Sequence, residues 1–116
     1  FFFKQKTAYE ISLGLVGSEM CIRDSPILNE PNKITEEDFK GWVQERGLYF
    51  ANEWDERYQS LFSMSDKGEK SNKGSLLATN YGKGKIIYTG LSFFRELPSG
   101  VPGAYRLFIN LISYGQ

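Results

Sequence analysis

Two β-prone runs joined by Gly82-Lys83-Gly84 constrain this chain more than any other feature. Ser75–Tyr81 and Lys85–Gly90 are rich in Leu, Ile, Tyr and Thr, and the glycines between them admit the positive φ that a tight turn needs. A β-hairpin is therefore expected. Both runs are nearly continuous in apolar character, as in strands covered on both faces. Downstream, Ala104, Leu107, Phe108, Leu111 and Ile112 recur at helical spacing, with Tyr105 and Ile109 widening the stripe and Gly115 ending it. The Leu and Phe face of that helix is expected to point inward, across the sheet. An edge hairpin and a C-terminal amphipathic helix define an α/β layered piece.

The stretch before the hairpin is less regular. Pro26–Lys33 holds two prolines and two asparagines and reads as an extended linker. Thr35-Glu36-Glu37-Asp38 reads as a helix start, with Thr35 as the cap and three acids at the positive end of the dipole. Phe39, Trp42 and Val43 would share one face, and Gly47 would stop a helix of about three turns. Leu48-Tyr49-Phe50 suggests a short strand, and Asn52–Glu56 an irregular polar stretch. Tyr58–Met64 has strand character, Ser65–Gly74 reads as a surface loop, and Leu91–Leu97 as a turn of helix carrying Phe93 and Phe94.

Composition removes several chemistries. The chain has 14 Lys plus Arg against 14 Asp plus Glu, no His and a single Cys, Cys21. A Ser-His-Asp triad cannot be built within this chain, and the usual His and Cys zinc ligands are lacking. Zero net charge gives no electrostatic footprint for nucleic acid. Lys67, Lys70, Lys73, Lys83 and Lys85 cluster in sequence, but Asp66 and Glu69 interleave, as on a solvated loop. No apolar run approaches the roughly 20 residues of a membrane span.

Three motifs invite a functional reading. Tyr81-Gly82-Lys83-Gly84-Lys85 is too compact for a phosphate loop and precedes a strand, so a turn is expected. The acids at Glu36–Asp38 are simplest as capping groups. Glu53, Asp55 and Glu56 around Trp54 could suit sugar binding, and Trp42, Tyr49 and Trp54, with Phe50, are the candidate ligand surface by aromatic stacking. Core packing competes with that role. Arg95, Glu96 and Arg106 could bind an anion or form surface ion pairs. No catalytic, cofactor-binding or metal-ligating residue is assigned in the chain.

Residues 1–25 stand apart. Phe1–Glu10 matches the in-frame translation of a flow-cell primer preceded by thymines, and Leu15–Ser25 that of a transposase-type library adapter. The interval between them has the length of a sample index. A signal peptide fits poorly, because Ser12 and Gly14 break the only apolar stretch. Residues 1–25 thus read as translated adapter with no natural domain, leaving 26–116 to carry the fold. Cys21 falls in the excluded part.

Three segments, Ile34–Phe50, Tyr81–Pro98 and Gly100–Phe108, resemble the C-terminal region of large bacterial PIG-L (LmbE-like) deacetylases. The resemblance spans essentially all of 26–116. It implies a class I glutamine-amidotransferase-like α/β domain, of which this chain would be the last part. It also implies a zinc-dependent N-acetyl-sugar hydrolase upstream in the same polypeptide, which would hold the zinc. The His-Pro-Asp-Asp type metal motif of that domain is absent here, and a cysteine nucleophile of the amidotransferase type would also lie upstream. The resemblance therefore implies a non-catalytic accessory part, in a periplasmic or extracellular setting, whose partner is the upstream polypeptide. A carbohydrate-binding module, and the remnant of an amidotransferase-type hydrolase, are the alternatives.

Overall fold

The computed structural model describes residues 3–5, 15–20, 24–42, 50–66 and 70–115. In chain order the strands are β1 (Phe3–Gln5), β2 (Leu15–Met20), β3 (Ala51–Trp54), β4 (Gln59–Ser60), β5 (Phe62–Asp66), β6 (Leu76–Tyr81) and β7 (Gly84–Thr89). The α-helices are α1 (Pro26–Asn29), α2 (Phe93–Glu96) and α3 (Pro102–Ser113), and a 3-10 turn covers Glu36–Phe39. The fold thus mixes helix and strand. Every described ladder is antiparallel: β1 with β3, β2 with β5, and a three-stranded sheet ordered β4-β6-β7. No described helix is long and apolar enough to cross a membrane.

The hairpin forms as the turn chemistry requires. Tyr81 pairs with Gly84, so Gly82 and Lys83 alone make the turn, and Gly82 takes φ +59°. Only the first central residue needs a positive φ, and glycine occupies it. Strand β6 lies in the middle of its sheet, and its first four residues, Leu76–Thr79, are buried. Their alternation builds two clusters. Leu76 and Ala78 join Ile27, Leu28, Phe62, Met64, Phe93, Ala104 and Leu107, with Ile87 against them. Leu77 joins Ala51 and Tyr58, with Trp54, Ile86 and Tyr88 half-buried around it. Strand β7 is the edge and is less deeply covered.

Five expectations are corrected. Pro26–Lys33 is not simply an extended linker, since it opens with α1. Ser25 Oγ accepts from Ile27 N at 3.3 Å, Pro26 sits in the first turn, and Ile27 and Leu28 are buried. The helix expected from Thr35 is a single 3-10 turn. Its cap is as expected: Glu37 N donates to Thr35 Oγ1 at 3.3 Å, and Thr35 N donates to Asp38 Oδ2 at 2.9 Å. Gly41, at φ +78°, then turns the chain away, so Trp42 packs from outside the helix. Val43–Tyr49 lies outside the described residues, including the expected stop at Gly47 and the first part of the strand at Leu48. Within Asn52–Glu56 a regular strand, β3, runs to Trp54, and β5 carries strand into the expected loop as far as Asp66.

The fifth correction concerns α3. Its inward residues are Gly103, Ala104, Leu107 and Asn110, while Phe108 is 36% and Ile112 56% exposed. Ala104, Leu107 and the half-buried Leu111 face the core as expected, but the helix is rotated enough to turn Phe108 and Ile112 outward. A polar contact sets the rotation. The fully buried Asn110 donates through Nδ2 to Ile27 O and to Asn32 O, both at 2.7 Å, and its Oδ1 accepts from Asn32 N at 3.0 Å. One turn earlier, Arg106 Nε donates to Asp38 Oδ1 at 2.8 Å and Nη2 to Lys33 O at 2.9 Å. Together these bonds clamp α3 to residues 27–38.

Candidate functional site

The aromatic residues singled out in sequence do not assemble into one platform. Trp42 is half-buried in the larger cluster. Its Nε1 donates to Asp38 O at 2.7 Å, and its ring lies 5.4 Å from Phe39 and 5.8 Å from Phe93. Trp54 is half-buried against the other cluster, beside Tyr58 and Tyr88. Phe50 is buried in the larger cluster, and Tyr49 lies outside the described residues. The two indoles therefore serve different packing units, as dense aromatics in a small core do.

Three of the candidate acids, Asp38, Asp55 and Glu96, are tied into structure, while Glu53 and Glu56 are exposed. Asp38 closes the capping box and pairs with Arg106. Asp55 is gripped in a fork by Arg57, with Nε at 2.7 Å and Nη2 at 2.9 Å, while Arg57 N donates to Asp55 Oδ1 at 2.9 Å. The side-chain hydrogen bond from Arg57, aided by that backbone N–H, holds the Asp55 carboxyl well below the usual carboxylate range. Such a group stays ionised at neutral pH and cannot supply a proton there. Glu96 corrects the expectation of a surface anion-binding or ion-pairing acid. It is fully buried, and Ser92 Oγ donates to its Oε2 at 2.6 Å. Arg106 is likewise committed, to Asp38 and Lys33.

Among the described residues a shallow cleft of about 290 Å³ is lined by Arg57, Gln59, Thr79, Asn80 and Tyr114. Three distant parts of the chain meet there: the turn before β4, the end of β6 and the residue after α3. Two of its wall residues already hold side-chain hydrogen bonds. Thr79 Oγ1 donates to Arg57 O at 2.8 Å, and Lys85 Nζ donates to Asn80 Oδ1 at 2.5 Å. Lys85 Nζ also lies 5.2 Å from the centre of the Tyr114 ring, within cation–π reach. The wall residues Arg57, Gln59, Thr79, Asn80 and Tyr114 all carry groups able to hydrogen-bond. None of these residues belongs to a motif, so sequence reasoning did not single out the cleft.

No group of three His, Cys, Asp or Glu side chains converges among the described residues, and Asp38, Asp55 and Glu96 have other partners. Lys70, Lys73, Lys83 and Lys85 are exposed, as on a solvated surface, and Lys67 lies outside the described residues. Compared with protein-family models, with curated proteins and with solved structures, the chain matches none.

Proposed function

We propose that residues 26–116 serve as a non-catalytic accessory part of a larger PIG-L (LmbE-like) deacetylase-type protein. In this reading they form the end of a class I glutamine-amidotransferase-like α/β domain, and residues 1–25 are translated library adapter. The observation that carries the reading is that three of the candidate acids are already taken up. Asp38, Asp55 and Glu96 each hold a structural hydrogen bond. The mixed fold, its edge hairpin and its C-terminal helix are compatible with the end of an α/β layer. Zinc chemistry, in this reading, belongs to the domain upstream, whose metal motif this chain lacks.

The test is metal analysis of the purified chain after exposure to zinc and desalting, alongside acetate release from N-acetylglucosamine. The expected result is zinc far below one per chain and no acetate. One tightly held zinc per chain, with acetate release, would contradict the reading.

A sugar-binding surface is the second reading. It is favoured by Trp54 and Tyr88, which share one small cluster while staying partly exposed. Chitooligosaccharide titration followed by tryptophan fluorescence separates the two. An accessory part with a purely structural role gives no saturable change, whereas a sugar module gives one that Trp54→Ala removes.

A further inference from the structure

Residues 1–25 contribute two strands to the fold. β1 pairs with β3 and β2 with β5, both antiparallel. Neither pairing is well matched. Each register slips once, between Lys4 and Gln5 in β1 and between Leu15 and Gly17 in β2. Ladder positions directly opposite each other share a face of the sheet, so a buried apolar residue calls for an apolar one opposite. Yet Gln5 stands opposite Ala51, which is 0% exposed, and Ser18 opposite Met64, which is 1% exposed. Gly17 lies inside β2, where glycine weakens a strand.

The seat under β2 is better made than its occupant. In β5 the buried Phe62 and Met64 alternate with the half-buried Ser63, as in a strand with one face on a core. Phe62 meets Phe39 edge-on at 5.2 Å, and Phe62 and Met64 both belong to the larger cluster. On the other side of β5, Met64 and Asn72 exchange both backbone bonds, at 2.9 and 2.6 Å. Removing β2 would leave the remaining edge as bare backbone beside a core, a state that folded proteins avoid. The described elements after β5 are committed elsewhere. Strand β6 lies between β4 and β7, and Asn110 and Arg106 clamp α3.

We propose that this edge of β5 is the acceptor for a strand that the natural polypeptide supplies immediately upstream of Pro26, and that β2 stands in its place. The inference rests on the reading of residues 1–25 as adapter. Connectivity identifies the occupant. Only residues 21–25 separate the end of β2 at Met20 from the start of α1 at Pro26, a reach of roughly 17 Å at full extension. The start of α1 is anchored, since Ile27 and Leu28 are buried and Ile27 O accepts from Asn110 Nδ2 at 2.7 Å. The segment entering α1 is therefore held beside β5 at high effective concentration. It runs antiparallel to β5 and carries apolar residues at the two core-facing slots, opposite Phe62 and Met64, where this chain has Met20 and Ser18.

The chain as it stands gives one test. Ser18→Val fills the slot opposite Met64 and should raise the melting temperature by about 2–6 °C, whereas Glu19→Val, opposite Ser63 on the other face, should raise it less. A gain at position 19 that equals or exceeds the change at position 18 overturns the assignment of the slot. The second test replaces residues 1–25 with the natural residues that the genome encodes just upstream of Pro26. The expected result is cross-strand NMR contacts from that segment to Phe62 and Met64, with backbone amide exchange over residues 62–66 at least ~10-fold slower than in the present chain. Exchange as fast as at present, or a natural segment with polar residues at both slots, overturns the proposal and leaves the adapter reading intact. A genome that encodes Phe1–Ser25 next to Pro26 removes the adapter reading itself, and the proposal with it.

Discussion

Replacing Asn110 with leucine will lower stability by about 3–4 kcal/mol, and melting temperature by roughly 15 °C, as read by urea and thermal unfolding. A leucine at a helix face turned toward a hydrophobic core would ordinarily help. Here the amide is fully buried, and it satisfies the carbonyls of Ile27 and Asn32 and the N–H of Asn32. Leucine fills the volume but takes away the partner of one buried and two part-buried backbone groups. The penalty is the desolvation of each orphaned group, which exceeds the modest net gain of a hydrogen bond when made. Asn110→Asp separates hydrogen bonding from size. At neutral pH it sets a carboxylate against two carbonyl oxygens, so its folded pKa must rise. Its stability deficit should then narrow as pH falls and the protonated acid can donate to one of them. A deficit that does not change with pH would mean that Asn110 acts through packing alone.

Gly103→Ala should cost about 3 kcal/mol or more, again by equilibrium unfolding. This is the opposite sign from the helix-propensity rule, under which alanine gains up to about 1 kcal/mol over glycine inside a helix. Gly103 is buried where the first turn of α3 crosses the 3-10 turn, and a Cβ built there overlaps the backbone Cα, carbon and oxygen of Asp38. Backbone cannot step aside as a flexible side chain can. Asp38 is held as well, by Thr35 on one oxygen and Arg106 on the other. The substitution must therefore push α3 off the clamp that Arg106 and Asn110 complete. A stability gain would show that the close approach of the two elements is not obligatory.

The elements most legible in sequence are those fixed by local chemistry. The turn at Gly82-Lys83, the capping box at Thr35 and Asp38, and the one-turn helix carrying Phe93 all follow from residues within a few positions of one another. What hydrophobic spacing does not give is the face that α3 buries. The stripe at Ala104, Leu107, Phe108, Leu111 and Ile112 outranks Asn110 on any apolar count. The decisive partners of Asn110 are Ile27 and Asn32, at the other end of the chain. Pro26 reads as a chain breaker until Ser25 is seen capping the turn it opens. Gly41 ends the 3-10 turn two residues after Phe39, and Trp42 continues the apolar face by folding back rather than by helical continuation. The cleft is illegible for the same reason as the clamp. Arg57, Gln59, Thr79, Asn80 and Tyr114 meet only after β4, β6 and α3 are in place.

The proposal that these elements are the closing part of a larger deacetylase-type protein is tested most directly by the genomic DNA upstream of the Pro26 codon. The expected result is an open reading frame that runs into Pro26 from a domain bearing a His-Pro-Asp-Asp type metal motif, with no codons for Phe1–Ser25. A genome in which Phe1–Ser25 is encoded contiguously with Pro26 would contradict it.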